Sequence, residues 1–212
     1  MDAETEAFRI GSTRTPVPPI PVFQISQAFV AIVFAFFISD FRRKKDMVPL
    51  VREKWTLALK ISCLIPLVIY AHVLVTLEWV SAVDLLALGL TIVGMILVSK
   101  SKLDLSKHHT WAGYCLRSSR LFAEGIYAYM RHPMYTGIFA FILGLFLTIV
   151  PHAEWYMALT ATAALVYALV FLAHSAVRES EMLERKLGLE FLAYKNQVHF
   201  CLPLRKYTET PN

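Results

Sequence analysis

Five apolar stretches alternate with polar ones along this chain of 212 residues. They run over about Val22–Ile38, Thr56–Leu77, Ala82–Val98, Pro133–Val150 and Trp155–His174. Each comes close to the roughly 20 residues a helix needs to cross a bilayer. The first reads as the weakest, because Gln24, Ser26 and Gln27 sit near its start. The second holds His72 and Lys60, whose long stem can snorkel, and the third has Asp84 near one end. The last two are joined by Pro151-His152-Ala153-Glu154, a turn too short for anything but an antiparallel hairpin. This pattern predicts an all-α fold, an integral membrane bundle of about five transmembrane helices.

The polar stretches divide the chain further. Residues 1–21 are polar and proline-rich (Pro16, Pro18, Pro19 and Pro21) and read as an extended lead-in rather than a signal peptide. Residues 22–98 carry the first three helices, and residues 99–212 carry the last two with long polar flanks. Two of these flanks, Ser99–His132 and Val177–Asn212, border the final hairpin, so folding the hairpin brings them together.

Charge adds an orientation. Arg42-Arg43-Lys44-Lys45 follow the first helix. Lys100, Lys102, Lys107, Arg117 and Arg120 follow the third, and Arg178, Arg185 and Lys186 follow the fifth. The connections Glu78–Ser81 and Pro151–Glu154 contain no Lys or Arg. By the positive-inside rule the basic segments face the cytoplasm, with the N-terminus lumenal or external and the C-terminus cytosolic. The endoplasmic reticulum or a prokaryotic inner membrane would suit such a chain.

Composition agrees. The sequence is 57% hydrophobic and 17% charged, too apolar for an ordinary soluble domain. Its net charge of +5 lies beside the apolar runs and not on one basic face, which favours membrane lipids over nucleic acid as partners. Three widely spaced cysteines, Cys63, Cys115 and Cys201, contain no C-x-x-C pair and suggest neither a disulfide framework nor a zinc site. No metal site is expected: the neighbouring His108 and His109 would diverge on a helix.

The candidate chemistry gathers at Arg131-His132-Pro133-Met134-Tyr135-Thr136-Gly137, where the fourth helix begins. Proline is pre-shaped for the first helical position and pushes His132 out of helical geometry. The free N–H groups of the first turn favour an anionic group. Arg131 and His132 would equally suit a headgroup anchor. Past the hairpin, Arg178-Glu179-Ser180-Glu181-Met182-Leu183-Glu184-Arg185-Lys186 reads as a surface helix with internal ion pairs. Glu179 and Glu181 nevertheless lie close to the hairpin's mouth, where a carboxylate could bind ribose hydroxyls, orient an arginine or neutralise a sulfonium.

From Glu124-Gly125-Ile126-Tyr127 through Arg131-His132-Pro133-Met134-Tyr135-Thr136-Gly137, the chain resembles the isoprenylcysteine carboxyl methyltransferases and the related phospholipid methyltransferases. Their pattern is G-x-Y, then R-H-P-x-Y-x-G, a helical hairpin, a glutamate pair and an F-G-x-E-Y-x-x-Y segment. The last appears here as Leu187-Gly188-Leu189-Glu190-Phe191-Leu192-Ala193-Tyr194. The resemblance covers about the C-terminal half, from near Trp111, and makes 99–212 a methyltransferase core.

It implies S-adenosylmethionine as cofactor, held in a cytosolic pocket built from the loop before the fourth helix and the C-terminal segment. No G-x-G-x-x-G follows a strand, in keeping with that. The implied cofactor-binding residues are Glu124, Gly125, Tyr127, His132, Pro133, Tyr135, Gly137, Glu179 and Glu181, with Arg131 and Glu179 as catalytic residues. Tyr135 and Gly137 would line a tunnel between cofactor and acceptor, and Trp111 would cover the cofactor. The sequence departs from the pattern at Ser180, which replaces the second glutamate and is followed by Glu181. It departs also at Ser119, where a histidine is usual, and in the softened C-terminal signature.

The implied activity is methylation of a prenylated cysteine carboxylate or similar lipophilic acceptor. N-methylation of a phospholipid amine is the alternative within the family. An NADPH-dependent enzyme like the sterol reductases, which have a related motif, and a non-enzymatic membrane scaffold are alternatives outside it.

Overall fold

The computed structural model describes residues 19–39, 47–106, 113–116, 121–204 and 206–208. Six α-helices lie among them: α1 (Ile20–Ile38), α2 (Glu53–Thr76), α3 (Ala82–Leu105), α4 (Pro133–Ile149), α5 (Trp155–Leu187) and α6 (Leu189–Gln197). A short antiparallel ribbon joins β1 (Met47–Pro49) to β2 (Tyr114–Leu116), with Val48 opposite Cys115. A 3-10 turn, Gly125–Ala128, precedes α4. Most of the lead-in, the cluster Arg42–Lys45, and Lys107, His108, His109, Trp111, Arg117, Ser119 and Arg120 lie outside the described residues.

This is an all-α membrane bundle. Four helices, α1, α2, α3 and α5, are long and apolar enough to cross a membrane. Their outward faces are apolar too: Ile25, Phe29, Ile32 and Phe36 form an exposed stripe down α1, and Leu159, Val166 and Val170 one on α5. A helix apolar all round is at home in lipid rather than water. The fifth apolar stretch, α4, has 17 residues and is bounded by Pro133 and Pro151. At 1.5 Å per residue it is about 25 Å long, a little short of the hydrocarbon core.

Two helices outrun their apolar stretches. α3 continues past Val98 to Leu105. α5 extends 33 residues, so the charged segment expected as a separate surface helix is the direct continuation of the fifth membrane helix. Neither glycine nor proline interrupts Ser175–Leu187, so nothing local breaks the helix until Gly188. Gly188 adopts φ +57°, a left-handed conformation that suits glycine, and turns the chain into α6. Within α5, the apolar span is Trp155–His174, and the turns from Arg178 onward project beyond it.

The tightest crossing is α3 against α4. A Cβ added at Gly94 would lie 2.6 Å from the Gly137 carbonyl oxygen, and one at Gly144 would lie 2.7 Å from the Ala87 carbonyl oxygen. Small residues on facing helices let the backbones approach, the usual means of association in lipid. Phe34 of α1 stacks on Phe141 of α4 at 3.6 Å. The polar residues that weaken α1 as a sequence prove to hold it in place. Gln27 is buried between the Thr91 hydroxyl, which donates to its Oε1 at 3.1 Å, and the Thr148 hydroxyl, which accepts from its Nε2 at 3.5 Å. Gln24 donates to the Leu74 carbonyl at 2.6 Å.

The basic helix ends lie together. Lys102 of α3 donates to the Phe37 and Ser39 carbonyls at the end of α1, capping that helix's C-terminus. The two turns without Lys or Arg meet at the opposite end, where His152 bonds to Asp84.

Candidate active site

The loop before α4 is assembled by contacts from distant parts of the chain. Asp104, at the end of α3, accepts the Ile126 N–H at 2.8 Å and pairs with Lys100 at 2.6 Å. It packs so closely on the loop that a Cβ at Gly125, where φ is +57°, would collide with its carboxylate. Here only glycine fits, for reasons of both space and backbone conformation.

The C-terminal segment grips the same loop from the other side. The Arg131 N–H donates to the His199 carbonyl at 2.9 Å, the His132 N–H to the Phe200 carbonyl at 3.1 Å, and the Tyr207 N–H to the Ala128 carbonyl at 2.7 Å. From α6, the Tyr194 hydroxyl donates to the Tyr127 carbonyl at 2.6 Å. Phe191, Tyr194 and Val198 form a small buried core beneath it. The softened C-terminal signature therefore has an identifiable structural duty: Gly188 makes the bend and Tyr194 ties α6 to the loop. The two polar flanks of the hairpin do come together.

Three buried or partly buried groups converge where these segments meet. Tyr135, one turn into α4, hydrogen-bonds the Glu179 carboxylate on α5. Tyr127, buried at the 3-10 turn, feels the charge of Glu179 as well. Burial pushes the Glu179 carboxyl from its ordinary 4.5 up to about 7, against the opposing pull of the Tyr135 hydrogen bond. Burial, and then Glu179, push the Tyr127 phenol well above its ordinary value, so it stays a neutral hydrogen-bond donor.

His132 and Arg131 lie next to each other just before α4. His132 is buried, with its Nε2 2.9 Å from the Ser180 Oγ and its ring 4.5 Å from Phe200. Burial, reinforced by Arg131, lowers its pKa from 6.5 to about 3, so it is neutral at physiological pH. The Arg131 guanidinium lies 5.8 Å over the Phe200 ring. Its Nε is buried and has no hydrogen-bond partner among the described residues. Buried donors are normally satisfied, so an orphan on the loop that carries Tyr127 marks a place where a ligand group would be welcome.

The remaining candidates are placed differently. Pro133 is the first residue of α4 and is buried, and Glu124 is exposed beside the 3-10 turn. Gly137 is buried at the crossing with α3, where a Cβ would lie 2.9 Å from Gly94, Leu97 and Val98 atoms. Glu181 lies two residues past Glu179, about 200° around the helix. It is half exposed and pairs with Arg178 at 3.2 Å. The residue that turns inward beside Glu179 is Ser180, on a buried stripe with Leu172 and Ala176.

Ser180 enters from sequence only as a departure from the family pattern, with no role, and Asp104 does not enter at all. Carrying the four-residue spacing of Leu172 and Ala176 through the charged segment would have found Ser180. No local pattern points to Asp104, whose partner is 22 residues away.

Residues 83–188, half of the chain, match the family model described as phospholipid methyltransferase. The match spans nearly all of α3, then α4 and α5 with the loops between them, and stops at the Gly188 bend. A comparison with curated proteins found no match.

Proposed function

Since the chain belongs to the phospholipid methyltransferase family, we propose that it is a membrane methyltransferase that uses S-adenosylmethionine at the Tyr127–Tyr135–Glu179 cluster. The observation that carries this reading is the convergence of these three side chains, from three separate segments, at the polar end of a lipid-facing bundle.

The residues present fit the cofactor. Glu179, ionised, would balance a sulfonium, and Tyr127 and Tyr135 offer hydroxyls and aromatic faces around it. When bound, S-adenosylmethionine supplies a methyl group already activated for transfer, so the protein's work is to align an acceptor and exclude water. Arg131 would hold an acceptor carboxylate through its planar donor fork, and such an acceptor needs no base at neutral pH. On this reading the substrate is the carboxylate of a prenylated cysteine or a similar lipophilic acid. Its chain would enter from the bilayer between helices.

The near-neutral pKa of Glu179 favours a second acceptor, a phospholipid amine, because a carboxylate poised near 7 can take the proton an ammonium must lose. His132 is a poorer base, being neutral and already bonded to Ser180. In either case the basic helix ends suit a cytosolic site, with the turns at Glu78–Ser81 and Pro151–Glu154 on the other side of a multi-pass protein.

The test is thermal stabilisation of the detergent-purified protein by S-adenosylhomocysteine beside NADPH. A rise with S-adenosylhomocysteine alone, lost in Glu179→Ala, is the expected result, since a ligand of the native state must stabilise it. A rise with NADPH alone would overturn it. Transfer of labelled methyl to farnesylcysteine or to phosphatidylethanolamine then separates the two acceptors.

A further inference from the structure

Along the polar extension of α5, a groove of about 430 Å³ runs between the helix and the end of β1. Arg178, Met182 and Arg185 line it from α5, at positions i, i+4 and i+7 on one helical face. Pro49 and Leu50 form the facing wall, and Glu181 and Lys186 flank the floor. The Leu50 N–H donates to the Gly113 carbonyl at 2.8 Å, so that wall is held by backbone. Three cations face a single carboxylate, and that carboxylate, Glu181, is already paired with Arg178. Arg185 is exposed and has no ion pair among the described residues.

The position of the groove matters as much as its charge. It lies just past the apolar span of α5, and Leu50 stands five residues before Trp55, which is half exposed at the start of α2. The Trp55 carbonyl accepts from the Tyr167 hydroxyl at 2.9 Å, a pairing of the kind of aromatic residues that mark a membrane interface. A site at headgroup depth, with two arginines about 10 Å apart along the helix and an apolar wall of Pro49, Leu50 and Met182, has matched chemistry on both sides. Guanidinium forks take phosphate oxygens, while the apolar wall takes the glycerol and the first carbons of the chains.

We infer that this groove binds the phosphate of an anionic phospholipid, drawn from the bilayer, at a site separate from the catalytic cluster. A soluble phosphate would gain nothing from the apolar wall, which favours the lipid as its source. The bound lipid would hold the polar extension of α5, and with it Glu179, about 100° around the helix from Arg178, at a fixed depth. The inference stands independently of the methyl-transfer reading, because binding is read without cofactor.

The experiment uses the full chain in neutral detergent, with phosphatidylglycerol, phosphatidylcholine or inorganic phosphate added. Native mass spectrometry counts retained lipid, and thermal melting reports stabilisation. Phosphatidylglycerol is expected to raise the melting temperature by about 3 °C and to stay bound, with phosphatidylcholine ineffective. In the double variant Arg178→Gln/Arg185→Gln both signals should fall at least threefold, while melting without lipid stays the same. Arg185→Lys, which keeps the charge and loses the fork, should fall between. Equal retention by the wild type and the double variant, or no retention by either, overturns the proposal. Stabilisation by inorganic phosphate equal to that by phosphatidylglycerol overturns the lipid as the source.

Discussion

The two ends of this bundle both bury polar side chains, and they treat them in opposite ways. At the turn end, Asp84 is fully buried and satisfied. It accepts from the Ser81 N–H at 2.8 Å, the Ser81 hydroxyl at 2.6 Å and His152 Nε2 at 3.1 Å, and Ser81 completes a capping box at the start of α3. At the loop end, Glu179 is held near a pKa of 7 and Arg131 keeps a buried donor unpartnered. A closed network contributes stability, fixing the α2–α3 turn to the α4–α5 turn. An open one costs stability and persists where a ligand completes it. The satisfied Asp84 network therefore contrasts with the unsatisfied groups around the loop, where the proposed site lies.

Substitutions can break that contrast. The largest effect should come from Arg131→Ala, which is expected to lower methyl transfer by about 100- to 1000-fold, the usual result of removing one preorganised donor. Its melting temperature should stay near that of the wild type, because the side chain's Nε has no internal bond to lose. A large drop in melting temperature would instead place Arg131 in the stabilising network. Asp84→Ala should do the reverse, costing about 2 kcal/mol of stability through the lost cap and the stranded His152. Turnover per folded molecule should be nearly unchanged, as thermal melting and a specific-activity assay would show.

The pH dependence sharpens the contrast further. With Glu179 titrating near 7, its ionised fraction rises about tenfold between pH 6 and pH 8. S-adenosylmethionine should bind more tightly by up to about that factor over this range, and uncharged S-adenosylhomocysteine much less so. Calorimetry on the wild type and on Glu179→Gln, in which the dependence should vanish, checks this. The sign for stability is opposite. A carboxyl whose folded pKa is raised stabilises the fold fully below its unfolded value near 4.5, and that contribution is lost as pH climbs through about 7. In the ligand-free protein, Glu179→Gln should therefore flatten the decline in melting temperature over that window. The smallest effect belongs to Ser180→Ala, which strands the His132 Nε2 and should cost about 1 kcal/mol. A neutral result would mean that water replaces the hydroxyl.

How much of this could be read without coordinates differs from residue to residue. The hairpin, the helix start at Pro133 and the candidates Tyr127, Arg131, His132, Tyr135 and Glu179 are local in sequence. Hydrophobic runs and a proline at the first helical position place the hairpin and its start, and the resemblance to one family's motif names the candidates. Ser180 and Glu181 show where that reasoning stops. Both are polar residues within two positions of Glu179, and only the uninterrupted course of α5 decides that Ser180 faces His132 and Glu181 faces outward. Gln24 and Gln27 argue against a membrane helix by composition, yet they hold α1 in place through partners 50, 64 and 121 residues away.

Sequence alone therefore determined the class of the molecule, because apolar length and charge alternation are local quantities that water and lipid read directly. It also determined which residue types could serve the chemistry. Tertiary structure alone decided which of them meet. The Gly125 loop takes its position from Asp104 on α3, and residues 130–132 from the backbone of His199 and Phe200. Those pairings depend on how far each helix runs and in which direction its side chains point, and the 3.6-residue turn converts a shift of one position into a rotation of about 100°.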